Sequence, residues 1–194
     1  MKSKTIALAI ASAATFALVP SCANDPVTQA NAATSSASQI SRDSRTALSS
    51  LYAQNPAAKS LGRKAKGILV FPSVVKGGLI VGAQAGNGAM IRDTGAISGY
   101  YQTTAASYGL QAGVQEFGYA LFLMDDEAFR NLNRSGGWEI GSSPSLVVVD
   151  KGMASSLTTT TLNKSTYAFF FNQRGLMGGL GLQGSKITRI HPQQ

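Results

Sequence analysis

The sequence predicts an α+β protein: a glycine-rich, mainly antiparallel sheet or partly open barrel, preceded by N-terminal helices and interrupted by one mid-chain helix. Three observations lead to that class. Apolar residues recur at helical spacing between Ile40 and Tyr52. From Gly67 the apolar period becomes two, and glycine punctuates the runs. Asp125-Asp126-Glu127 then opens a short segment with arginines at its far end, the charge order that suits a helix dipole.

The elements follow in chain order. Met1-Lys2-Ser3-Lys4 and the uncharged run from Thr5 to Val19 have the basic and apolar regions of a secretory signal, and the run is short for a membrane span. Val19-Pro20-Ser21-Cys22 resembles a bacterial lipobox, in which Cys22 is acylated and becomes the mature N-terminus; Pro20 stands where a small or hydroxylated residue is usual. The other reading is cleavage after Ala30-Asn31-Ala32, which discards Cys22, but that site lies well past the apolar run. Residues 1–21 are therefore expected to be a lipoprotein signal peptide, with lipid attachment at Cys22. Two or three acyl chains anchor stably where one does not. By resemblance to bacterial lipoproteins, Ala23 after the cysteine implies the outer membrane.

Residues 22–38 are mostly Ala, Ser, Thr, Asn and Gln. They offer too little apolar surface to offset ordering entropy, so they read as a flexible tether. Residues 39–194 read as a single domain. Ile40, Ala47, Leu48, Leu51 and Tyr52 predict an amphipathic helix ending near Gln54, because Asn55 precedes Pro56. A second helix is expected over Ala57 to Ala65, with Leu61 inward and Lys59, Arg63 and Lys64 outward.

Gly67 to Phe71 predicts a short strand stopped by Pro72. Further strands are expected in Gly78–Gly86, Gly88–Arg92, Gly95–Thr103, Tyr108–Gln115 and Tyr119–Met124. Asn87-Gly88 and Asp93-Thr94-Gly95 read as turns, making this third of the chain an antiparallel meander. Asp125 is the expected N-cap of the mid-chain helix, and capping accounts for the acidic triplet without a metal. Ser145–Asp150, a Thr-rich stretch at 158–161, Thr166–Asn172 and Gly175–Gly184 complete the β-rich pattern. A Gly-Leu-x-x-Gly pattern recurs at Gly78–Gly82, Gly109–Gly113 and Gly175–Gly179, with Gln84 and Gln115 two residues beyond the first two copies. Residues four apart share a strand face, so the pattern suggests close backbone approach or a bent sheet.

The inventory of reactive groups is short. One Cys and one His in 194 residues leave no disulfide and no Cys/His zinc site, and nucleophilic triads and dyads lack parts. The glycine-rich runs do not reproduce a phosphate loop. No catalytic residue, metal ligand or cofactor is expected, and the chain does not read as an enzyme. Of the 17 Lys and Arg, loss of Lys2 and Lys4 with the signal leaves 15 against 9 acids, a charge of +6 in place of +8. Lys59, Arg63, Lys64, Lys66 and Lys76 fall in a run without an acid. Such a run attracts anionic lipid head groups, at about 1 kcal/mol per basic residue near the surface, and composition fits a solvated face equally well. Poor aromatic interleaving argues against nucleic acid.

Ala65-Lys66-Gly67-Ile68-Leu69-Val70-Phe71-Pro72-Ser73-Val74-Val75-Lys76-Gly77-Gly78, Ile80-Val81-Gly82 and Tyr108-Gly109-Leu110-Gln111-Ala112-Gly113 resemble the SYLF-domain family. Gly175-Leu176-Met177-Gly178-Gly179 and Leu182-Gln183-Gly184-Ser185 do so as well, and the resemblance spans roughly residues 40 to 190. Eukaryotic members are similar to a phosphoinositide-binding, actin-associated module whose lipid contact is assigned to its N-terminal helical and basic part. The resemblance implies phospholipid binding here through Lys59, Arg63, Lys64, Lys66 and Lys76. Actin regulation transfers poorly to an envelope protein, and anionic phospholipid is the more sensible ligand. The expected function is that of a non-catalytic, membrane-anchored envelope lipoprotein binding anionic phospholipids. The alternative is a structural lipoprotein with an envelope protein partner.

Overall fold

The computed structural model describes residues 35–78, 81–108, 113–133, 137–139, 146–149, 164–175 and 185–194. The signal segment, Cys22 and most of the expected tether lie outside these residues, as do the Thr-rich stretch and all of Gly175–Gly184 except Gly175.

Helix α1 (Ala37–Gln54) begins within the stretch read as tether, because the Ser36 hydroxyl accepts from the Gln39 N–H at 3.2 Å and caps it. Its buried stripe is Ile40, Ser44, Ala47, Leu48 and Leu51. Asn55 ends α1 and caps α2 (Pro56–Gly62), accepting from the Ala58 N–H at 3.0 Å. The second helix is thus shorter than the expected Ala57–Ala65, and Arg63 and Lys64 form the turn after it.

Eight strands among the described residues form one curled, mostly antiparallel sheet, in agreement with the α+β class. They are β1 (Gly67–Gly78), β2 (Val81–Arg92), β3 (Ile97–Tyr108), β4 (Gly113–Leu123), β5 (Trp138–Glu139), β6 (Leu146–Val149), β7 (Thr166–Gly175) and β8 (Lys186–Ile190). Their order is β5-β8-β3-β2-β1-β4-β7-β6, and only β6–β7 is parallel. The meander is corrected by this order. Strand β4 returns to pair with β1, giving the spatial sequence 4-1-2-3 of a Greek key. Helix α3 (Asp126–Leu132) starts as expected, with Asp125 accepting from the Ala128 N–H at 2.9 Å.

Two further corrections share one cause. Pro72 does not end β1; the strand passes through it to Gly78. Between Val70 and Val75 it carries one residue more than β2 opposite, and between Phe71 and Val74 one more than β4. A bulge at Pro72-Ser73 thus accommodates a residue with no N–H to give to a ladder. Asn87-Gly88 is not a turn but the middle of β2, where Gly88 pairs with Tyr101. A Cβ on Gly88 would run into the Val70 carbonyl and lie 2.7 Å from the Phe71 ring; one on Gly86 would lie 2.6 Å from the Ser73 carbonyl. The glycines answer the pressure of the bulged strand. The other turn is as expected: Gly95 has φ +82° and its N–H bonds the Arg92 carbonyl at 2.8 Å.

The sheet buries both faces. On its inner, concave face Leu69, Phe71, Met90, Phe117, Tyr119 and Leu121 pack with Leu132 of α3 and Trp138 of β5. On its outer face Ile68, Val70, Phe122, Tyr167 and Phe169 are covered by Leu48 and Leu51 of α1 and Leu61 of α2. The Ser44 hydroxyl, fully buried, donates to the Val70 carbonyl at 3.2 Å and pins α1 across the strand beside the bulge.

Candidate functional site: a basic helix face and a polar barrel mouth

A seven-residue helix has little stability alone, so α2 is held by what it buries. Ala58 and Leu61 are on its inner side, and full burial of a leucine contributes about 1.5–3 kcal/mol. Lys59 and Arg63, four residues apart, therefore share the outer side. Lys59, Arg63 and Lys64 are all exposed, and none has an ion pair among the described residues. Tyr52 of α1 lies against this face. Burial raises its phenol pKa above the ordinary value, and the nearby Arg63 charge partly opposes that. A side chain on Gly62 would collide with the Tyr52 hydroxyl, so glycine keeps the turn close to α1.

The other two members of the basic run are elsewhere. Lys66 is bound to Asp126 at the head of α3, 2.8 Å away. The hydrogen bond and charge of Lys66, with Arg130 and Arg92 further off, hold the Asp126 carboxyl below the usual carboxylate range. Arg92 lies 4.5 Å over the Phe129 ring. Lys66 and Arg92 thus tie α3 to one end of the sheet. Lys76 is at the opposite end of β1, about 30 Å along the strand from Lys66 at about 3.3 Å per residue. The run that looked continuous in sequence is divided into an exposed trio, a paired lysine and a distant one.

Around Lys76 the inner face turns polar. Val74, two residues before it, is in the inner core, so Lys76 points to the same side. Its cross-strand partners are Gln84 on β2 and Gln115 on β4, both nearly buried. Gln84 donates to the buried Ser185 hydroxyl at 3.1 Å. One layer deeper, the Tyr119 hydroxyl donates to Thr103 at 2.7 Å, and burial pushes the phenol pKa far above its usual value. The Gln115 Oε1 atom is buried without a hydrogen-bond partner, which costs about 1–3 kcal/mol if nothing satisfies it. The sequence signal for this cluster was the recurring glycine pattern, whose first two copies each run on to one of these glutamines.

A third feature is an open cleft of about 690 Å³ between the start of α1, the start of β3 and the C-terminal segment, lined by Tyr100, Arg189 and His191 among others. Here the Ala37 N–H donates to the Gln193 carbonyl at 2.8 Å, and Ser41 and Tyr100 share a hydrogen bond of 3.0 Å. The sequence reading singled out neither Arg189 nor this cleft. Among the described residues, no group of three His, Cys, Asp or Glu side chains is placed to hold a metal, and no helix is long and apolar enough to cross a membrane.

The described residues thus form an α+β domain, a bulged, mostly antiparallel curled sheet with α1 and α2 on its outer face. The family model Ysc84, described as "Las17-binding protein actin regulator", matches residues 104–191, in agreement with the SYLF-family resemblance of the sequence. The matched segment runs from β3 through β8; α1, α2, β1 and β2, with the basic trio and Lys76, precede it. No curated protein matches the chain.

Proposed function

We propose that this protein is a non-catalytic, membrane-anchored envelope lipoprotein whose SYLF domain engages anionic phospholipid surfaces through the outer side of α2 and the turn that follows it. The observation that carries this reading is the trio Lys59, Arg63 and Lys64, exposed and without carboxylate partners among the described residues. Each such cation contributes about 1 kcal/mol near an anionic surface. Acylation at Cys22 holds the domain at the outer membrane, so the trio acts on a surface already close by. Lys66, engaged with Asp126, contributes less than its position in the run implies.

The test is co-sedimentation of the full chain with vesicles of phosphatidylcholine, with and without phosphatidylglycerol. Binding should require the anionic lipid, and the combined Lys59→Glu, Arg63→Glu and Lys64→Glu variant should lose it. Equal binding to neutral vesicles, or unchanged binding by the variant, overturns the reading.

The family description favours a second reading, because it names protein partners. On that reading the domain is an interaction module for an envelope protein, and purification from membranes should return one stoichiometric protein with no retained lipid.

A further inference from the structure

We propose that the cleft between the start of α1, the start of β3 and the C-terminal segment binds a small carboxylate with an apolar body, through the guanidinium of Arg189. The cleft and the basic side of α2 lie at opposite ends of α1, about 27 Å apart for 18 residues at about 1.5 Å each. The proposal therefore does not rest on the lipid reading.

The cleft has the size and composition of a small-molecule site. It holds about 690 Å³, within the roughly 300–1,000 Å³ of ligand pockets. Its lining is mainly apolar, and Ile97, Tyr100, Ile190 and Pro192 are each only half-buried, so a ligand has apolar surface left to cover. Tyr100 and Ile190 are cross-strand partners on β3 and β8 and share a face. Two hydrogen bonds hold the walls in place: Ser41 with Tyr100 at 3.0 Å, and the Ala37 N–H to the Gln193 carbonyl at 2.8 Å.

Arg189 supplies the polar end. One of its terminal nitrogens donates to the Ser98 carbonyl over a long 3.4 Å, and Ser98 and Gly99 both line the cleft. A Cβ on Gly99 would lie 3.3 Å from the Tyr101 hydroxyl and 3.5 Å from the Arg189 Nε, so glycine lets the guanidinium lie against the strand. The Arg189 charge also reaches the Tyr101 phenol, where it partly opposes the rise in pKa that burial causes. Arg189 is exposed and has no ion pair among the described residues, although Gln194 lines the same cleft. No Asp or Glu is among the described residues lining it. The bond to Ser98 leaves most of the five guanidinium N–H donors for a ligand. His191 lines the cleft as well and adds an imidazole that can donate or accept.

These groups select a carboxylate. A guanidinium fork offers two parallel N–H bonds to a planar carboxylate, with one charge on each side. A phosphate monoester carries about 1.5 to 2 negative charges at neutral pH, so part of its charge would stay uncompensated against apolar walls.

Titration calorimetry of the full chain tests the proposal, with N-acetyl-leucine, its neutral amide and acetate as probes. N-acetyl-leucine should bind at least about tenfold more tightly than the amide, which lacks the charge-assisted bonds, and than acetate, which lacks the apolar body. Arg189→Gln should weaken N-acetyl-leucine by about tenfold or more, and Arg189→Lys should not restore it, because a point charge replaces the fork. Ser38 is exposed at the α1 side of the cleft, so Ser38→Trp should block binding while leaving Arg189 in place. The combined Lys59→Glu, Arg63→Glu and Lys64→Glu variant should bind as the parent does, whatever its behaviour on vesicles. No saturable binding of N-acetyl-leucine, equal affinity for its amide, or unchanged affinity in either Arg189→Gln or Ser38→Trp overturns the proposal.

A fourth probe, 4-methylpentanoate, separates the sources of such a carboxylate. Tighter binding of N-acetyl-leucine assigns the cleft to the C-terminus of a peptide, whereas equal binding assigns it to a free short-chain acid.

Discussion

Replacing Gly88 by alanine tests the account of the bulged strand. The added methyl would press on the Val70 carbonyl and lie 2.7 Å from Cδ1 and 3.0 Å from Cγ of Phe71. Ordinary carbon contacts are about 3.5–4.0 Å, so β1 and β2 must separate locally by about 1 Å. Neither neighbour can yield easily: Val70 and Phe71 are fully buried, and the Val70 carbonyl also receives the Ser44 hydroxyl. Overpacking of this kind costs about 1–3 kcal/mol, and the reduced entropy of the unfolded chain returns about 0.4–1 kcal/mol. The expected net loss is about 1–2 kcal/mol. Gly77→Ala is the control, because its nearest neighbour is 3.8 Å away; it should be neutral or slightly stabilising. Urea unfolding of both variants, with unchanged m-values, reads the difference directly. If Gly88→Ala is as stable as Gly77→Ala, the bulge does not press on β2 and the explanation for the glycines fails.

The remaining predictions concern charge and processing. Because burial raises the Tyr119 pKa, the native state keeps its phenol neutral; that contribution is complete below about pH 10, where the unfolded tyrosine begins to ionise, and is lost as pH rises from there toward the higher native value. The urea midpoint should therefore fall above pH 10, and less steeply in Tyr119→Phe. The Asp126 pKa is depressed, so its contribution is present above the unfolded value, about 3.9, and disappears as pH falls through the lower native value. Asp126→Asn should flatten the acid limb of a stability profile only slightly, because the carboxylate is exposed and screened. Mass spectrometry of the protein isolated from membranes should find a diacyl or triacyl adduct on Cys22, whereas a chain beginning after Ala32 removes the anchor. Leu61→Ala should cost about 2–5 kcal/mol if its packing is what holds α2, and anionic-vesicle binding should fall with helix docking, even though no charge changes.

Local signals were legible where local physics decides. The stripe of α1, the Asp125 cap of α3 and the Asp93-Thr94-Gly95 turn all rest on interactions within a few residues, and each stands as its sequence implies. Pro72 and Asn87-Gly88 were misleading for the same reason in reverse. Their usual local meanings, strand end and turn, yield to a bulge that only the pairing of β1 with both neighbours produces. The short strands β5 and β8 were passed over, since two and five residues carry too little periodicity to stand out. The basic run shows the limit most plainly: its five cations were visible, but their division among an exposed face, the Asp126 contact and the barrel mouth was not.

By itself the sequence determined the α+β class, the amphipathic first helix, the Asp125 cap and the SYLF resemblance, because composition, period and motif are properties of neighbouring residues. Only the tertiary structure decided which strands are adjacent, and therefore which distant side chains meet. Gln84 and Gln115 are 31 positions apart in the chain, yet both are the cross-strand partners of Lys76. Strand pairing, a long-range choice made by the burial of both sheet faces, brings them together.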